Sequence, residues 1–287
     1  MVRVNVDNFR EAETARMLDG QVALVGGVNQ WLHYRAPTPV DQQPVIRMNR
    51  DTLYSSALVD ISEGGTVTLP DAMGRYMTLM VINDQHYINR VFDEPGTYPL
   101  TVDEHGSAFV GVAAGTLVDA ADPRDLAVVN SLQDQLVLDV NSANPYTHPD
   151  YDEESLNATR EALLKLGEGV LGTDRMFGKK TEVDATRHLI GTAAGWGGLP
   201  ESEAYYYIES EPRPAGRYTF TFKDVHVDAF WSVTIYNRGG YFEGGTPRRG
   251  SESAPATIDD HAEHERGPRR SFVLSRPLRL RTGEARH

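Results

Sequence analysis

The sequence predicts a mainly β protein of α+β character: two β-sandwich or jelly-roll-like units, with an N-terminal helix and a helical insert. Three observations carry this expectation. Residues 45–120 contain short runs rich in β-branched and aromatic side chains, separated by Gly, Asp, Asn and Pro at hairpin-like intervals. The same signal returns after Pro212 and Pro214. Before the first block, and between the two, apolar residues recur at spacings of three and four. The divisions are a helical segment at 1–44, a first β-rich unit at 45–120 and a helical insert at 121–211. The start of a second β-rich unit follows at 212–243, then an atypical tail at 244–287.

The first helix follows from Phe9, Ala12, Ala15, Leu18, Val22 and Val25, which share one face. Asn8 and Glu11 have the spacing of a capping box, and Gly26-Gly27 ends the run, with Trp31 and Tyr34 opening another turn. Strands are expected at 66–69, 76–82, 87–92, 98–102 and 108–112. Asp122-Pro123 opens a helix at 124–135, since proline is tolerated at the first helical position. Residues 152–166 read as a helix with a Glu161/Lys165 pair, stopped by Gly167 and Gly169. Residues 181–194 read as another, capped by Thr181. Gly191 to Gly198 end that helix and let Trp196 pack. RYTFTF at 217–222 and FWSVTIY at 230–236 read as buried strands.

The tail breaks the pattern. It holds 9 Arg, no Lys and one aromatic, Phe272, and its charge is +3 against −16 for the rest. It reads either as a disordered basic extension or as a change of reading frame near Gly244; only 271–274 suggests a strand.

Composition excludes whole classes of function. The 287 residues carry 28 basic and 41 acidic side chains, a net charge of −13, and no cysteine. Thiolate metal sites, disulfide scaffolds and cysteine nucleophiles are therefore absent. The acidic balance argues against nucleic acid as a partner. No run is long and apolar enough to span a membrane. The first 16 residues reach their acids without an apolar stretch, so a cytoplasmic location is expected rather than export. A homo-oligomer stays open. No nucleophile elbow, phosphate loop or zinc-binding helix motif occurs. His261 and His264 are spaced by three but lack a third ligand, so no metal and no cofactor are expected. Asp184 and His188, one helical turn apart, read as an exposed ion pair.

Two polar clusters stand out. The first is MNRDTLYSS at 48–56, where period-two alternation separates Asn49 and Asp51 from Arg50 and Tyr54. The second is Asn83-Asp84-Gln85-His86-Tyr87, directly after an apolar run. If they converge, Asp51 or Asp84 orients His86 as a general base and Arg50 binds an anionic group. Asn49, Tyr54, Tyr87 and Trp231 complete the candidate binding set. The competing reading makes both clusters turn and strand-end networks. The tyrosines at 205–207 suggest either core packing or a pocket lining.

Residues 45–60 (VIRMNRDTLYSSALVD), with 66–70 and 75–89, resemble the domain of unknown function 1254. The YTFTF…FWSVTIYN…GYF pattern at 218–242 resembles its companion, the domain of unknown function 1214. The likeness spans about residues 8–243. It implies two β-rich units with helices between them, and brings no established activity from which catalytic residues could be carried over. Many relatives are exported, and in the family the second unit continues past the FWSVT strand into further strands, where this sequence departs after Glu243.

The functional expectation is a small-molecule binding protein, or a cofactor-independent enzyme, for a polar or anionic organic compound. His86, Asp84 and Asp51 would be catalytic. The alternative is a non-catalytic interaction module.

Overall fold

The computed structural model describes residues 1–39, 41–43, 49–209, 218–220, 229–236, 241, 248–250, 256–258 and 271–277. It is mainly β with α+β character, as expected, and divides into two units. The first comprises Met1–Pro39, Asn49–Glu168 and Arg175–Leu199; the second comprises Val40–Met48, Gly169–Asp174 and Pro200–His287.

The first unit opens with α1 (Phe9–Val25) and β1 (Leu32–His33). Strands β2 (Thr52–Asp60), β3 (Gly65–Leu69), β4 (Met77–Ile82), β5 (Ile88–Phe92) and β6 (Gly96–Leu100) follow. A one-turn helix α2 (Val102–His105) leads into β7 (Phe109–Leu117). Then come α3 (Pro123–Gln133), β8 (Val137–Val140), α4 (Glu153–Leu166) and α5 (Ala185–Gly195). Two antiparallel sheets form, ordered β1-β2-β7-β4-β5 and β6-β3-β8. Alternate residues of both sheets build one core: Ala57 and Val59, Val67 and Leu69, Met77, Leu79 and Val81, and Val110, Val112 and Ala114. This period of two puts one face of each sheet into the shared core.

The opposite face of the larger sheet carries the helices. Gly111 of β7 shows how closely: a Cβ there would lie 3.1 Å from Leu18 of α1. Val4, Phe9, Ala12, Leu156, Leu163 and Ala193 join α1, α4 and α5 in a second core. Gly65 marks a tighter approach between strands. A Cβ there would lie 2.7 Å from the Asp139 carbonyl oxygen, a backbone atom of β8. Gly65→Ala is therefore expected to break the β3–β8 pairing at one end and cost about 1–3 kcal/mol by overpacking, measured by chemical denaturation.

Local chemistry sets the helix ends. Asp122 and Asp152 cap α3 and α4 by accepting from the Arg124 and Ser155 amides. Gly26 ends α1 at φ 86°. Four expectations need correction. Asn8 does not cap α1 with its side chain; its Oδ1 accepts from Asn5 N–H instead. Residues 32–33 are a strand edge, not a helical turn. Lys165 pairs with Glu168 at 2.8 Å rather than with Glu161. The last helix starts at Ala185, because Asp184 accepts from both Thr186 and Arg187 amides and outcompetes Thr181 as a cap.

The second unit contains β9 (Ala204–Glu209), β10 (Tyr218–Phe220), β11 (Trp231–Tyr236), β12 (Arg248–Gly250), β13 (Ala256–Ile258) and β14 (Ser271–Pro277). Its sheet runs β12-β11-β14-β9, and β10 pairs with β13. Three of these strands fall in the compositionally odd tail. At those residues the chain is strand rather than an unstructured extension, and β14 lies between β11 and β9.

Candidate functional site

The register of the larger sheet decides whether the two polar clusters meet. Thr52 opposes Leu117 of β7, whereas Ile82 opposes Gly111 of the same strand. Asp51 precedes the first position and Asn83 follows the second. The clusters therefore lie at opposite ends of the sheet, at least six residues of β7 apart, or roughly 20 Å. Asp51 and Arg50 cannot serve His86. The condition for a single site, that the two clusters converge, is therefore not met.

At the first end the polar groups close a strand terminus. Asn49 Oδ1 accepts from Asp51 N–H at 2.6 Å, and its amide donates to Thr52 Oγ1 at 3.4 Å. The Asp51 carbonyl accepts from Val118 N–H at 3.0 Å, and its side chain is buried. Tyr54 is held above its ordinary pKa, by burial first. Arg50 is half-buried and already engaged with a neighbouring group.

At the second end the β4–β5 turn is built by Asn83. Its Oδ1 accepts from Gln85 N–H at 3.0 Å and Tyr87 N–H at 2.8 Å, and its amide donates to the His105 carbonyl at 3.0 Å. This network holds His86 in the left-handed region, at φ 63°, where a non-glycine residue is uncommon. Asn83→Ala removes three bonds from a buried site and is expected to cost about 2–3 kcal/mol, seen as a lower denaturation midpoint with unchanged slope.

His86 is fully buried. Its ring stacks between Trp196, with centroids 5.5 Å apart, and His188, at 5.4 Å, with Phe177 edge-on. Tyr87 extends the column by stacking on His188 at 4.7 Å. Thr192 Oγ1 lies 2.9 Å from His86 Nδ1, and Gly197 N–H donates to Nε2 at 2.8 Å. Both nitrogens are thus engaged, and burial, then His188, holds the ring far below the ordinary histidine pKa. His188, expected as an exposed partner of Asp184, is also fully buried, because α5 turns this face onto the hairpin.

The groups facing outward at this end come from three distant segments. Arg10 of α1 donates to the Tyr87 hydroxyl at 2.8 Å. Asp84 at the turn tip reaches water, yet the surrounding protein and then Glu11 of α1 raise its pKa. Burial first, and the Asp19, Asp84 and Tyr151 charges after it, raise that of Tyr146 strongly. Tyr151 is raised by burial, Glu11 and Asp84. His148 pairs with Asp19 at 2.8 Å and lies against both the Tyr146 and Tyr151 rings. Among the described residues neither Glu11 nor Asp84 has an ion-pair partner, and the shielded Glu11 Oε2 and Arg10 Nε have no hydrogen-bond partner.

Sequence reasoning singled out Asp84, His86 and Tyr87 here but missed Arg10, Glu11, Tyr146 and Tyr151. No local spacing links them. Trp231 belongs to the second unit, buried on β11 opposite Gly250. The tyrosines at 205–207 lie on β9, with Tyr207 exposed. Among the described residues no group of three or more His, Asp or Glu could hold a metal ion, and no helix is long and apolar enough to cross a membrane. His261 and His264 lie outside the described residues.

Residues 28–115 match the family described as "Protein of unknown function (DUF1254)". No curated protein matches the chain. Among solved structures, the VPA0106 protein of Vibrio parahaemolyticus is similar at 16% identity and a TM-score of 0.68, over 95% of this chain and 92% of that one. An uncharacterised protein of Burkholderia cenocepacia is similar at 12% identity and a TM-score of 0.50, over 94% and 84%. At such identities the likeness concerns the fold alone.

Proposed function

We propose that the protein binds a small polar organic molecule rich in hydrogen-bond donors, an amine or a polyol. The site is the end of the first unit that carries Glu11, Asp84, Tyr146 and Tyr151. The observation that carries this reading is Asp84 at the exposed turn tip, whose carboxyl pKa is raised by the surrounding protein first and by Glu11 of α1 second. Neither Asp84 nor Glu11 has an ion-pair partner among the described residues, and one Glu11 oxygen, Oε2, is shielded without a hydrogen-bond partner. A carboxylate whose charge its surroundings oppose is a candidate for a functional site. Carboxylates accept hydrogen bonds from ammonium or hydroxyl groups, and Tyr146 and Tyr151, each packed against His148, add half-buried aromatic surface beside them. An anionic compound fits this end poorly, and Arg50, its expected anchor, stands at the other. Binding is favoured over catalysis by His86, because proton transfer through that ring would first have to break its bond with Gly197.

The test is a thermal-shift panel of amines, polyols and carboxylates. An amine or a polyol is expected to stabilise the protein, by about 2.7 kcal/mol at a hundredfold excess over Kd. Stabilisation by carboxylates alone would overturn the reading. No stabilisation by any compound, with a stable oligomer in solution, would favour an interaction module instead.

A further inference from the structure

The two stacked imidazoles have partners of different kinds. The Thr192 hydroxyl donates to the His188 carbonyl at 2.8 Å, so its oxygen is left to accept from His86 Nδ1–H. The Gly197 amide donates to His86 Nε2. One donor and one acceptor fix a neutral ring, with its proton on Nδ1 and no vacant lone pair. His188 is placed otherwise. Its Nδ1 faces the Met176 carbonyl oxygen at 2.7 Å, and its Nε2 faces the Gln85 carbonyl oxygen at 3.1 Å. A carbonyl oxygen only accepts. A neutral imidazole has one N–H and satisfies one of these two; an imidazolium satisfies both. The shorter contact marks the proton of the neutral ring at Nδ1, which leaves the Nε2 lone pair opposite the lone pairs of Gln85.

We propose that His188 is a proton-operated latch. A second proton, taken up at Nε2, forms an N–H···O bond to the Gln85 carbonyl. That bond ties the turn carrying Asp84 to α5 and, through the Nδ1–H bond to the Met176 carbonyl, to the segment preceding it. The proton comes from solvent and stays on the ring; no other bond is broken.

Several groups face His188. From α1, the Arg10 guanidinium opposes the added charge. From the turn, Tyr87 presents its ring face, which favours a cation, and His86 presents a neutral ring. From the preceding segment comes the Met176 carbonyl. On its own helix the Asp184 carboxylate is occupied by two amides. Burial opposes the added charge most, the Met176 and Gln85 carbonyls favour it and Arg10 opposes it least; burial prevails, so the latch closes in acid, below the ordinary histidine range. His86 cannot share this role, because its lone pair is already used. The inference does not depend on a ligand binding near Asp84.

The test follows histidine ring nitrogens by NMR in isotope-labelled wild-type protein, from roughly pH 8 to 4.5, spanning the ordinary pKa of about 6.5. Ring signals are assigned through proximity to Met176 and Trp196, so no substitution is needed. His188 is expected to pass from a single proton on Nδ1 to two protons while the fold persists. Amide exchange at Gln85 and Tyr87 is expected to slow over the same range, and His86 to keep its single proton. Three results would overturn the proposal: a singly protonated His188 down to acid unfolding, a second proton appearing first on His86, or proton uptake by His188 with no slowing of exchange.

Discussion

Glu13→Ala is expected to lower stability by about 3 kcal/mol, the low end of the range for breaking a buried ion pair. Glu13 is 1% exposed on α1, yet its Oε1 takes Arg160 of α4 and, at 2.8 Å, Arg16. Burial raises its pKa while Arg160 opposes the rise. The carboxylate thus joins two helices that meet only through tertiary packing. Without it, two guanidinium groups face each other, and their Nε atoms already lack partners among the described residues. The low end of the range applies because both arginines keep some access to water, at 24% and 36% exposure. Glu13→Gln keeps the shape and one acceptor and is expected to cost less. Denaturation of both variants checks this; equal losses would mean that packing, not charge, is at stake.

Acid is expected to destabilise the protein steeply. Burial holds His86, His105 and His188 below the ordinary histidine pKa, and neither ring nitrogen of His105 has a hydrogen-bond partner among the described residues, the Glu104 carboxylate standing 4.0 Å from Nε2. The sign is fixed by linkage. As pH falls through about 6.5 the unfolded chain takes up protons that the folded protein refuses, so stability is greatest above that value. Each refusing histidine contributes a slope of about 1.4 kcal/mol per pH unit. For His188 the loss stops at its folded-state pKa, whereas for His86 it continues further down. His86→Gln is therefore expected to flatten the profile by one such slope, whatever it does to stability at neutral pH. An unchanged slope would show that His86 does not stay neutral in the fold.

Local signals made much of the fold legible. Asp122 and Asp152 stand at the expected starts of their helices, and each caps its own helix, because a start is decided within three residues. The strands at 66–69 and 76–82 appear within a residue of expectation, since runs of β-branched and aromatic residues between turn formers mark a strand whether one face is buried or, as in β4, both. The strand at Val137–Val140 was hidden inside a helical-looking insert. Four residues carry too little periodicity, and only pairing with β3 identifies them. His188 misled for another reason: spacing shows which residues share a helix face, not what that face meets.

The site was legible in part. Asp84, His86 and Tyr87 are neighbours in sequence, and one turn delivers them. Arg10 meets Tyr87 across 77 residues, and no pattern in either segment announces the other. That Asp51 and His86 lie apart follows from strand register alone.

Calorimetry of the donor-rich compound that most stabilises the wild type tests the central claim most directly. It would be titrated into the wild type, the Glu11→Gln/Asp84→Asn double variant and Arg50→Ala, each first confirmed as folded. The double variant is expected to lose binding at least tenfold, about 1.4 kcal/mol, while Arg50→Ala binds as the wild type does. Binding that survives in the double variant and fails in Arg50→Ala would move the site to the other end of the sheet and contradict the account.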